Sequence, residues 1–172
     1  MDDTKEISDD ACKQEEALKE HKWLEQLLGD WTMEADCSMG PGQPTMKSTG
    51  SEHVRALGGL WIVSEGKMQM PDGEAGTTLM TLGYNPRTKR YVGTWIGSMM
   101  THMWIYDGEM DVSEKILTLN ADGPSFTDPT KTAKFQDIYE IKSDGHRVLR
   151  SRVLGDDGKW TEFMTANYKR KG

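Results

Sequence analysis

From residue 30 to the end of the chain, apolar and polar positions alternate with a period of two, in short runs. The runs are DWTMEADCS, MKSTGSEHVRAL, LWIVSEGKMQM, TTLMTLGYN, RYVGTWIG, THMWIYDG, KILTLNAD, TAKFQDIYEI, HRVLRSRVLG and WTEFMTANYKR. Their Trp, Thr, Val, Ile and Tyr content is that of β-strands. Turn residues separate them: GPGQP (40–44), LGG (57–59), PDGEAG (71–76), NPRTK (85–89), DGEMD (107–111), DGPSFTDP (122–129), SDG (143–145) and GDDG (155–158). The Asp-Gly and Asn-Pro pairs among them are specific turn chemistry rather than generic polarity. One stretch has a different period. In QEEALKEHKWLEQLL (14–28), Leu18, Trp23, Leu24, Leu27 and Leu28 fall on one helical stripe. This predicts a helix over 13–28, stopped by Gly29.

One helix followed by about ten strands on short turns is an all-β chain. A doubly wound sheet needs helices between its strands, and none is present. An immunoglobulin-like sandwich remains an alternative. A long antiparallel meander leaves two open edges, and closing into an up-and-down β-barrel removes them. The leading amphipathic helix then fits as a cap on one end of the barrel.

Length and composition add limits. A chain of 172 residues is enough for one domain with a real core. The opening MDDTKEISDDACKQEE reads as an acidic flexible extension over 1–16 that runs into the helix start, ahead of a barrel domain over 17–172. With 28 acidic against 21 basic residues the net charge is -7, so nucleic acid is excluded as an expected partner. The two cysteines, Cys12 and Cys37, have no CxxC or Cys/His partner and read as reduced thiols. No signal-like segment or apolar run of membrane-spanning length is present, so the expected location is cytoplasmic with no membrane partner.

A set of blocks in order carries a resemblance: HKWLEQLLGDWTME (21–34), LGGLWIVSEG (57–66), MTLGYNPRTKRYVGTWIGSM (80–99) and MWIYDGEMD (103–111). The first, with Gly29 and Trp31, is similar to the Gly-x-Trp opening of lipocalin-like (calycin) barrels. The whole set, over about 20–170, resembles domain-of-unknown-function family 1579. The resemblance implies a lipocalin-like antiparallel up-and-down β-barrel of about ten strands with an N-terminal capping helix. It implies an internal cavity and carries no chemistry, because related architecture is not activity.

Candidate chemistry centres on SMMTHMWIYDG (98–108). Strand alternation puts Met100, His102, Trp104 and Tyr106 on one face, and Met103 on the other. Met103 therefore cannot join His102 on one metal. In RYVGTWIG, Trp95 shares a face with Gly93 and Gly97, which leave room beside it. Trp95, Met100, Trp104 and Tyr106 are then expected to line a cavity wall that carries His102. His102 has three readings: a satisfied interior histidine, a hydrogen-bonding group to a polar ligand end, or a haem or metal ligand. In 46–56, alternation turns Glu52 inward; in 147–153, Arg150 and Arg152 share a face opposite Leu149, Ser151 and Val153. An inward arginine, Arg150 for example, could pair with Glu52 or grip a carboxylate; the alternative is that Arg150 and Arg152 are both solvated on the outer face of the strand. No nucleophile elbow, HExxH or phosphate loop is present, so no cofactor is expected. A catalytic set of His102, Glu52 and Asp137 brought together from distant strands stays open. The expected function is binding of a small, largely apolar molecule inside the barrel, as carrier, sensor or scavenger. The alternatives are a haem or metal protein using His102, a barrel enzyme on a small hydrophobic substrate, and a self-filled barrel that forms a homodimer through an outer face.

Overall fold

Each run folds as a strand, and each strand hydrogen-bonds to the next in the chain. The computed structural model describes residues 13–40, 42–70 and 72–172. The strands are β1 (Gly29–Cys37), β2 (Met46–Leu57), β3 (Trp61–Gln69), β4 (Ala75–Asn85), β5 (Arg90–Gly97), β6 (Trp104–Met110), β7 (Ile116–Pro124), β8 (Thr132–Ser143), β9 (His146–Leu154) and β10 (Trp160–Arg170). All neighbours are antiparallel, and β1 pairs with β10 to close the barrel. The sandwich alternative is thereby excluded. Alternation sorts the two faces: in β1, Trp31, Met33 and Ala35 are buried while Asp30, Thr32, Glu34 and Asp36 are exposed.

The predicted helix is shorter than its pattern. It comprises α1 (Lys19–Trp23) and a 3-10 turn, Leu24–Leu27, while 13–18 is irregular. Only the last turns reach the barrel end, where Leu24 and Leu27 are buried; Leu18 stays exposed. Residues 13–18 are exposed apart from the half-buried Ala17, and so short a helix is marginal in water without packing. His21 fixes the start. Its Nδ1 accepts the Leu18 N–H at 2.9 Å and its Nε2–H donates to the Tyr84 carbonyl at 3.0 Å. Those two bonds hold both ring nitrogens, and the ring is buried rather than solvated. Residues 1–12 of the acidic extension, Cys12 included, lie outside the described residues.

Trp31 seals the capped end. It is 1% exposed, and its Nε1–H donates to the Leu27 carbonyl at 2.9 Å. The Arg170 guanidinium lies 4.3 Å from its ring centre. The same guanidinium donates to the Leu28 carbonyl, to the Gln26 carbonyl at 3.0 Å and to the Asp144 carbonyl at 3.2 Å. A fork of donors thus satisfies carbonyls that the short helical segment leaves without intrahelical partners.

Gly29 makes the bend from the 3-10 turn into β1 at φ +111°, and a Cβ there would meet the Arg170 Nη1 at 2.8 Å. Both strain and crowding fall on the plug. Gly29→Ala is expected to cost about 1–3 kcal/mol, read from urea unfolding followed by tryptophan fluorescence. A loss below about 0.5 kcal/mol would contradict this account of the plug.

Candidate functional site

At the end of the barrel away from α1, the strands do not pack to the axis. They enclose a cavity of about 350 Å³, within the rough 300–1,000 Å³ span of small-molecule sites. Eight of the chain's twelve methionines line it: Met33, Met46, Met68, Met70, Met80, Met99, Met100 and Met164. Unbranched thioethers fill irregular space and re-pack cheaply, so this wall is adaptable. Aromatic rings make the rest of the upper wall. Trp95 of β5 pairs with Trp104 of β6, and Trp104 packs edge-on against Phe135 of β8 at 4.8 Å. Gly123, opposite the Trp104 ring, has no side chain to displace it. Cys37 also lines the cavity; burial pushes its thiol up, which keeps it protonated and a weak nucleophile.

The deep end is polar and has two centres. In the first, the Arg147 guanidinium of β9 is 1% exposed and paired with the Glu52 carboxylate of β2, which also accepts from the Ser64 hydroxyl. Arg147 lies between rings, 4.6 Å from the Trp31 centre and 4.4 Å from that of Tyr168. Its Nε and Nη1 find no hydrogen-bond acceptor among the described residues, so ring faces take that side of the cation. In the second centre, Asp137 of β8 accepts from the Tyr106 hydroxyl at 2.6 Å and the Ser151 hydroxyl at 2.5 Å. Burial pushes the Asp137 carboxyl above the ordinary aspartate range, and the two hydroxyl donors pull it only part-way back. Burial likewise pushes the phenols of Tyr106, Tyr139 and Tyr168 up, so they act as neutral donors.

Of the expected wall residues, Trp95, Met100, Trp104, Tyr106 and Glu52 line the cavity. Met100 does so from a loop. β6 begins only at Trp104, so strand alternation does not extend back over 99–103. Six residues are needed to turn from β5 to β6, and they form part of the rim. There Met100 Sδ accepts the Trp104 Nε1–H at 3.1 Å. His102 does not line the cavity: its Nε2–H donates to the Asp122 carbonyl at 2.9 Å, and its ring stands edge-on to Trp104 at 4.8 Å. It is a loop histidine with its donor occupied. Arg150 lies on the outer face of β9, where it meets Glu140 at 3.1 Å. The arginine that meets Glu52 is Arg147. The signal for it was present, because Arg147 shares its period-two face with Leu149, Ser151 and Val153. Asp137 was legible in the same way, between Phe135 and Tyr139. It meets neither His102 nor Glu52 through a side-chain hydrogen bond; its partners are Tyr106 and Ser151. Among the described residues no three His, Cys, Asp or Glu side chains are grouped as a metal site.

A family model described as "Protein of unknown function (DUF1579)" matches residues 16–170. The chain belongs to DUF1579. Two solved structures have the fold of this DUF1579 chain. Rv2717c from M. tuberculosis superposes with a TM-score of 0.67 at 13% identity, covering 91% of this chain and 100% of its own. The S-type phycobiliprotein lyase CPES from Guillardia theta gives 0.61 at 11% identity, covering 88% and 92%. No curated protein matches the chain in sequence. No helix among the described residues is long and apolar enough to cross a membrane.

The raised Asp137 carboxyl has a consequence for stability. Between its unfolded and folded pKa values the folded chain binds more protons, so this contribution weakens as pH rises through that interval. Asparagine can keep a partner for each hydroxyl without the charge. Asp137→Asn is therefore expected to raise the melting temperature near neutral pH, by a gain of about 1 kcal/mol or more. The gain should shrink on acidification toward the ordinary aspartate value of 3.8. Thermal melts across that range check it; a gain that grows on acidification would contradict it.

Proposed function

We propose that the barrel binds one small, largely apolar molecule in its cavity, as a carrier, sensor or scavenger. The observation that carries the reading is the cavity itself: space of small-molecule size, walled largely by methionine and aromatic side chains, with two carboxylates, Glu52 and Asp137, at its deep end. In this reading Trp95, Trp104 and Met100 touch the apolar body of the ligand. Tyr106, Glu52 and Asp137 meet its polar end. His102 holds the rim loop against β7, and Arg150 takes no part. Burial of apolar area at roughly 25 cal/mol per Å² supplies the affinity. The mobile methionines let one site fit related shapes.

Diphenylhexatriene, a hydrocarbon that fluoresces in apolar surroundings, is the direct probe. Saturable binding at one site per chain is expected. Ser48, half-buried on the inner face of β2, lines the cavity. Ser48→Trp should fill the entrance and weaken binding by about tenfold or more, while circular dichroism and the melting temperature confirm that the barrel remains. Unsaturable binding, or equal affinity in a folded Ser48→Trp variant, would overturn the reading.

A further inference from the structure

We infer that the cavity selects ligands whose polar end is an amine over ligands whose polar end is a carboxylate. This deepens the binding reading above and rests on it.

The argument is a charge inventory of the deep end. Two carboxylates, Glu52 and Asp137, face the cavity. Glu52 is matched by Arg147. Asp137 is met by two neutral hydroxyls and by no cationic side chain among the described residues. A buried ionised carboxylate without a cation is unfavourable, and a ligand ammonium placed beside it would remove that deficit. The geometry leaves room for one. Each Asp137 oxygen accepts a single hydrogen bond, so about half of its lone-pair sites are open.

A ligand carboxylate has no comparable partner. Arg147 is the cation nearest the deep end, but it does not line the cavity. Its guanidinium is closed in by Trp31 on one side and Tyr168 on the other. Its unbonded Nε and Nη1 are buried, so an anion would have to open the packing to reach them. Lys67 does border the cavity, but β3 alternation places it on the outer face, and it is exposed. What lies against Gly50 is the Lys67 carbonyl oxygen, another acceptor. A carboxylate entering the deep end would therefore meet two like charges, with only neutral hydroxyls such as those of Tyr139 and Tyr168 to donate to it. The walls act in the same direction, since aromatic faces and thioether sulfurs attract cations rather than anions. The inferred ligand class is an amine on a compact alkyl or aryl body.

The test displaces diphenylhexatriene, near neutral pH, with three probes that share one chain and differ only at the head: decylamine, decanol and decanoate. The expected order of potency is decylamine, decanol, decanoate, with the amine about tenfold or more ahead of the acid. In Asp137→Asn the amine-to-acid ratio should collapse to within about threefold. The wild-type ranking decides the sign without any variant. Decanoate equal to or stronger than decylamine, with the hydrocarbon probe still bound, would overturn the amine preference and leave the binding reading standing. Failure of the hydrocarbon itself to bind would overturn the binding reading and this inference with it.

Discussion

Two guanidinium groups lie over one indole. Arg147 and Arg170 sit 4.6 and 4.3 Å from the Trp31 ring, and through them one residue joins five parts of the fold. Arg170, at the end of β10, fastens the last carbonyls of the helical plug. Arg147, from β9, reaches across to Glu52 on β2. The indole N–H closes on the plug at Leu27. Removing a cation from water is costly, and here the cost is offset by ring faces, a carboxylate and backbone carbonyls together. The consequence is a barrel whose capped end is filled and fixed. The apolar cavity lies toward the other end.

That asymmetry gives the cavity its character. Below it lies a rigid floor in which hydroxyls, carboxylates and one guanidinium have set partners. Above it the walls are mainly thioethers and aromatic rings, with few groups that demand a fixed geometry. A rigid polar end and an adaptable apolar body suit a site that reads one end of a ligand closely and the remainder loosely. The two polar centres differ in charge balance: Glu52 has its cation and Asp137 does not. The site is thus not electrically closed by the protein's own side chains.

The strands were legible because a half-buried strand must alternate, and all ten runs coincide with strands to within about three residues at each end. The helix is shorter than its pattern because periodicity records which residues could face a core, while only His21, Leu24 and Leu27 of the Lys19–Leu27 turns are buried. His102 was placed on a strand face because alternation in THMWIYDG runs unbroken into the loop; what decides the boundary is the reach needed between Gly97 and Trp104. In β9 the inward arginine is Arg147, and Arg150 faces outward. A charged residue at the start of a strand looks like an exposed end, whereas the barrel buries that level beneath Trp31. Pairing across the barrel, as in Glu52 with Arg147, joins residues 95 positions apart and leaves no local trace. The eight-methionine wall is of the same kind, assembled from seven elements that no single run reveals.

Those methionines also offer the most direct reporter. With methyl-¹³C methionine, titration of diphenylhexatriene can be followed one methyl at a time. Occupation of the cavity predicts that the methyls lining it, from Met33 at depth to Met100 at the rim, shift together and saturate at one ligand per chain. Those of Met39, Met103 and Met110, which do not line it, should stay in place. Shifts confined to Met39, Met103 and Met110, or none at all, would contradict a ligand-binding barrel.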